Sequence, residues 1–145
     1  RLSPDAITCN SVISACEKAG HWQLSLSLLH SMRGRRLLPT VISCNAAVSS
    51  CGAGGRWRLA VALLRAMPEL RIGPDIIGFN AALRSCRERG RWRRALGLLP
   101  SMRDLRIAPV AESCSMAIGA CERVGQYHLV VDLVGVIAQG LLTPL

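Results

Sequence analysis

Proline recurs in this chain at Pro4, Pro39, Pro74, Pro109 and Pro144, each 35 residues after the last. Asn10, Asn45 and Asn80 keep the same interval, with Ser115 in the fourth place. So do Cys16, Cys51, Cys86 and Cys121, then Gly20, Gly55, Gly90 and Gly125. Trp22, Trp57 and Trp92 follow suit, with Tyr127 last. No insertion or deletion interrupts the register. A fixed period in the range of 20–50 residues is the signature of a stacked repeat array, in which each unit buries its apolar side only against its neighbours.

Within each period the apolar residues fall at i, i+3, i+4 and i+7, the spacing of one helix face. The first stripe reads Cys9, Val12, Ile13, Cys16; then Cys44, Ala47, Val48, Cys51; then Phe79, Ala82, Leu83, Cys86; then Cys114, Ala117, Ile118, Cys121. Thr8, Ser43 and Ser113 precede it as expected N-caps, and the recurrent glycine ends it in a left-handed turn. The second stripe reads Trp22, Ser25, Leu26, Leu29; Trp57, Ala60, Val61, Leu64; Trp92, Ala95, Leu96, Leu99; and Tyr127, Val130, Val131, Val134. The predicted fold is therefore all-α, a solenoid of four helix-turn-helix repeats at 6–40, 41–75, 76–110 and 111–145. Residues 1–5 read as the end of a preceding unit, and the whole as a window on a longer array. Pro100 falls inside the third second-helix and should kink or shorten it. Pro68, nearer a helix end, should matter less.

The charge narrows the partners. Eighteen Lys+Arg stand against nine Asp+Glu, a formal +9, which favours a polyanion, nucleic acid first and an anionic membrane surface second. No run reaches the ~18–20 apolar residues of a membrane span, and no membrane partner is expected. Seven cysteines, an odd number at helical spacing with no CxxC pairs, argue against a disulfide framework and for a reducing compartment.

The 35-residue period, a Pro-Asp before the first helix and a hydrophobic-x-x-Asn entry, as in PDAITCNSVISACEKAG and PDIIGFNAALRSCRERG, resemble the pentatricopeptide repeat along essentially the whole chain. The resemblance implies that the first helices line a groove holding single-stranded RNA, one base per repeat. The base would be read by Asn10 with Thr40, Asn45 with Asp75, Asn80 with Val110, and Ser115 with Leu145. Ile7, Ile42 and Ile77 would sandwich the bases, with Glu112 departing from that apolar pattern. Lys18 and Arg123 match the family's phosphate-facing lysine. Ala53 and Glu88 occupy that place in the other repeats, the latter flanked by Arg87 and Arg89. Asn followed by a closing Asp resembles the family's uracil-preferring pair. By the same resemblance the chain is expected in chloroplast or mitochondrion, in an mRNA processing, stability or editing factor.

Other readings of the same residues stay open. Tryptophans inside the apolar stripe read as core, not as stacking platforms. Cysteine pairs seven apart on one helix lie ~10 Å from each other, too far to share one tetrahedral ion, so no metal site is expected. Asparagine just inside a helix can serve as a cap or as a ligand reader. The cluster Arg87, Arg89, Arg91, Arg93, Arg94 suits either a solvated turn or phosphate contact. No acid or nucleophile stands at a catalytic spacing from His21, His30 or His128, so neither catalysis nor a cofactor is expected. The alternative function is a protein-binding scaffold of tetratricopeptide type.

Overall fold

The structure, a computed structural model, describes residues 5–107 and 111–142. Eight helices follow in chain order: α1 Ala6–Ala19, α2 Trp22–Gly34, α3 Val41–Ala53, α4 Trp57–Ala66, α5 Ile76–Glu88, α6 Trp92–Asp104, α7 Ala111–Arg123 and α8 Tyr127–Leu142. A 3-10 turn at Met67–Leu70 follows α4, and no strand occurs among the described residues.

α1, α3 and α5 start on side-chain caps, but not on the hydroxyls expected. Asp5 accepts from the Thr8 N–H at 2.8 Å, and Asp75 from the Gly78 N–H at 3.1 Å. Thr40 forms a capping box with Ser43, whose Oγ accepts from the Thr40 N–H at 2.8 Å. Thr8, Ser43 and Ser113 are instead the third residues of their helices. The unsatisfied first-turn N–H groups point back towards the residue before the helix, so the cap must lie three positions earlier.

The same helices end on Gly20, Gly55, Gly90 and Gly125, at φ +66°, +75°, +64° and +76°. The next residue's N–H returns to the cysteine carbonyl: His21 to Cys16, Arg56 to Cys51, Arg91 to Cys86 and Gln126 to Cys121. The second helices close the same way, with Leu37, Ile72 and Ile107 donating to the carbonyls of Met32, Met67 and Met102. There the left-handed residues are Arg36, Arg71 and Arg106, at φ +57° to +59°, where a Cβ costs roughly 1–2 kcal/mol.

The two prolines exchange their expected roles. α6 runs unbroken through Pro100 to Asp104. Pro100 is exposed, so water can satisfy the Leu96 carbonyl that loses its helical donor. Pro68 is the one that changes the helix: α4 stops at Ala66 and the chain tightens into the 3-10 turn.

Stacking follows from the stripes. α1 packs on α3, α3 on α5 and α5 on α7, forming one layer of first helices. α2, α4 and α6 each pack on their own partner and on the first helix of the next repeat, and α8 packs on α7. The first helices are thus the closer-packed layer. Ile13, Leu64, Leu83, Leu98 and the methionines Met32, Met67 and Met102 are fully buried between layers, each contributing roughly 1.5–3 kcal/mol. The α8 stripe is different: Tyr127, Val131 and Val134 are exposed.

Candidate nucleic-acid interface

One face of each first helix stays out of the stack. Ile7 and Asn10, Ile42 and Asn45, and Ile77 and Asn80 are i, i+3 neighbours on α1, α3 and α5. The isoleucines are 75%, 67% and 64% exposed. A single exposed aliphatic residue is ordinary, but three branched ones in register along one face form an apolar row open to a ligand. In α7 the row ends on exposed Glu112, which pairs with Arg84 at 3.7 Å, and on exposed Ser115.

Two of the asparagines, Asn45 and Asn80, are held from behind. Asn45 is only 7% exposed, and its Nδ2 donates to Asp75 Oδ1 at 2.9 Å. A carboxylate accepts only, so this bond fixes which way the Asn45 amide faces. The same Oδ1 caps α5 through the Gly78 N–H, so Asp75 joins repeat two to repeat three. Asn80 is held differently, its Oδ1 accepting from Ser113 Oγ at 2.6 Å. The side-chain oxygens of Asn10 and Asn45 are buried without a hydrogen-bond partner. Thr40 spends its hydroxyl on the capping box. Val110 and Leu145 lie outside the described residues.

The basic residues divide. Arg87 and Arg123 line a cavity of ≈ 430 Å³ between α5 and α7, together with Arg84, Glu88, Glu112, Ser115 and Met116. Arg84 was not singled out from the sequence. It follows Asn80 by four residues, so the i, i+4 rule would have placed it on the same face. Arg89 points elsewhere, its guanidinium lying against Gly55 in the preceding turn. Lys18 stands exposed in the last turn of α1, two repeats from that cavity.

The tryptophans belong to the core. Trp22, Trp57 and Trp92 are half-buried against it, and arginines cover their rings. Arg56 lies 5.0 Å from the Trp22 ring centre, Arg91 5.2 Å from Trp57, and Arg93 5.0 Å from Trp92. Part of the arginine cluster is therefore engaged in cation–π contacts. All seven cysteines are free and buried. Burial pushes the thiols of Cys44, Cys51 and Cys86 up to about 11. Among the described residues no group of His, Cys, Asp and Glu could hold a metal ion, and no helix is long and apolar enough to cross a membrane.

Comparison with known proteins joins these features to a family. The model of the pentatricopeptide repeat domain matches residues 2–54, and that of the PPR repeat residues 42–72. No curated protein matches. Among solved structures, the pentatricopeptide repeat protein PPR10 from maize superposes with a TM-score of 0.86 at 20% identity, over 99% of this chain and 20% of that one. PPR10 in complex with an 18-nt psaJ RNA element gives 0.78 at 20% identity, over 99% and 21%. The PPR domain of Arabidopsis thaliana protein-only RNase P 1 in complex with tRNA gives 0.79 at 12% identity, over 99% and 76%. The chain thus spans about a fifth of the length of PPR10 and carries the same fold. With its 35-residue beat, its paired helices and its in-register asparagines, the chain belongs to the pentatricopeptide-repeat family.

Proposed function

We propose that the face bearing Ile7, Ile42 and Ile77 binds single-stranded RNA and selects its sequence one base per repeat. The observation that carries this reading is the exposed isoleucine row beside the asparagine row, with Asn45 already bonded to Asp75. Bases would insert between successive isoleucines, and the asparagine of each repeat would meet the base edge. Solved relatives of the same fold are bound to an 18-nt RNA element and to tRNA, and the +9 charge suits a polyanion. Arg84, Arg87 and Arg123 would neutralise phosphates, which positions the strand without reading it. The chain acts by binding, without catalysis, within an organellar RNA-processing or stability factor. Fluorescent tagging of the full-length protein tests that location, and a cytosolic signal would refute it.

Repeat two makes the sharpest test. Asp75 Oδ1 is occupied by Asn45 and the α5 N-terminus, which leaves Oδ2 to accept from the N3–H of uracil, a proton cytosine lacks. Asp75→Asn and Asp75→Ser should move that repeat's preference from uracil towards cytosine. The measurement is binding of each variant to single-stranded RNAs differing at one base. Unchanged uracil-over-cytosine discrimination would sink the assignment. A chain that retains no RNA even at low salt would instead favour the protein-scaffold alternative.

A further inference from the structure

Residues 43, 78 and 113 occupy the third position of α3, α5 and α7. Two of them meet the asparagine of the repeat before. Ser113 Oγ bonds Asn80 Oδ1 at 2.6 Å, and a Cβ added at Gly78 would stand 2.5 Å from Asn45 Oδ1. Ser43 is the exception, because its hydroxyl is spent on the Thr40 backbone, and Asn10 Oδ1 is left buried without a partner.

Asn45 and Asn80 therefore turn Oδ1 into the seam between repeats. For Asn45 the orientation is settled by Asp75, which can take only the N–H end of the amide. For Asn80 the 2.6 Å separation is that of a hydroxyl donating to oxygen and is short for an N–H donor. The amide group left towards the groove is Nδ2, a donor. It matches an acceptor that both pyrimidines carry, the O2 carbonyl. An amide turned the other way would present an acceptor and welcome bases offering N–H.

We infer that the third helical residue of repeats three and four is a positioning residue for the asparagine of the preceding repeat, with Ser113 locking Asn80 as a donor and Gly78 leaving Asn45 Oδ1 unpartnered. The inference rests on the RNA-reading proposal and extends it to a residue outside the reading pairs. Ser113 is fully buried, so it touches no base itself and works only through Asn80.

The test uses the 145-residue chain and short single-stranded RNAs randomised one base at a time. Asn45→Ala and Asn80→Ala first identify the nucleotides read by repeats two and three. Ser113→Ala should then lower discrimination at the repeat-three nucleotide by about fivefold, the worth of one ordinary hydrogen bond, and leave the other nucleotides unchanged. Gly78→Ser, whose Cβ would stand 2.5 Å from Asn45 Oδ1 and so make that amide shift, should change discrimination at the repeat-two nucleotide by a similar factor. If Ser113→Ala weakens every sequence alike, or Gly78→Ser leaves repeat two unchanged, the positioning role is overturned. Should Asn80→Ala remove selectivity while neither position-three variant alters it, this inference fails and the RNA reading stands. If the parent chain binds no RNA, both fall together.

Discussion

Asp75 serves two repeats through a single oxygen, since Oδ1 caps α5 and anchors Asn45. The cap and the proposed base reading can therefore be separated by substitution. Asn and Ser are themselves good caps, so Asp75→Asn and Asp75→Ser should hold the unfolding midpoint nearly constant. Asp75→Ala loses the cap and should cost about 1 kcal/mol by denaturant titration. The family resemblance named Asn45 and Asp75 together, and the two side chains are hydrogen-bonded. That Asp75 is also a cap was not legible in the sequence, because the hydroxyls nearer the apolar stripe drew the assignment. The position-three contacts were hidden too, since partners 33 residues apart, such as Asn80 and Ser113, follow neither helical spacing nor the repeat period. The buried thiols give a pH prediction. Cys44, Cys51 and Cys86 are raised from 9.0 to about 11, so the folded chain holds those protons more tightly than the unfolded one. Their contribution is complete below pH 9 and is lost as pH rises from about 9 towards 11. Thermal melts should show the midpoint falling across that window, and replacing the three cysteines by alanine should flatten the fall.

Between elements, the seam of the first two repeats depends on a missing side chain. A Cβ at Gly54 would run into the Trp22 ring and stand 3.0 Å from the Gly20 carbonyl. Gly54→Ala should therefore separate the α1/α2 pair from α3/α4, at a cost of roughly 1–3 kcal/mol. Hydrogen exchange should show earlier opening in residues 5–34 than in residues 76–104, and uniform exchange would contradict this. The eight helices and the glycine ends of the first helices were legible, because period and helical spacing each specify them, whereas the left-handed arginines that close the second helices were not. Nor was the fate of the prolines. Whether a proline interrupts a helix depends on where the orphaned carbonyl faces, and the exposed surface at Pro100 tolerates what the pattern of residues alone condemned.

Across the whole molecule, stability builds up repeat by repeat, and under the proposed reading binding would do the same. If each of four repeats neutralises about one phosphate, log K for single-stranded RNA should fall with log salt at a slope of about −3. Titrations at several salt concentrations check this, and a slope near zero would exclude phosphate contact. Removing the charge of Arg84, Arg87 or Arg123 should make the slope shallower by about 0.7 each. The +9 balance was plain in the sequence, but its distribution was not: Arg56, Arg91 and Arg93 cover tryptophans, while Arg84 joins Arg87 and Arg123 beside Ser115. The hydrogen bonds across the seams also bear on how such arrays can be recombined. A chimaera spliced after residue 75 would keep Asn45 and Asp75 but take its next three residues from a foreign repeat, Gly78 among them. The transplantable cassette is offset from the sequence period: residues 44–78 carry Asn45, its anchor and the residue behind it as one block, and splices placed there preserve a meaning that splices at the repeat boundary scramble.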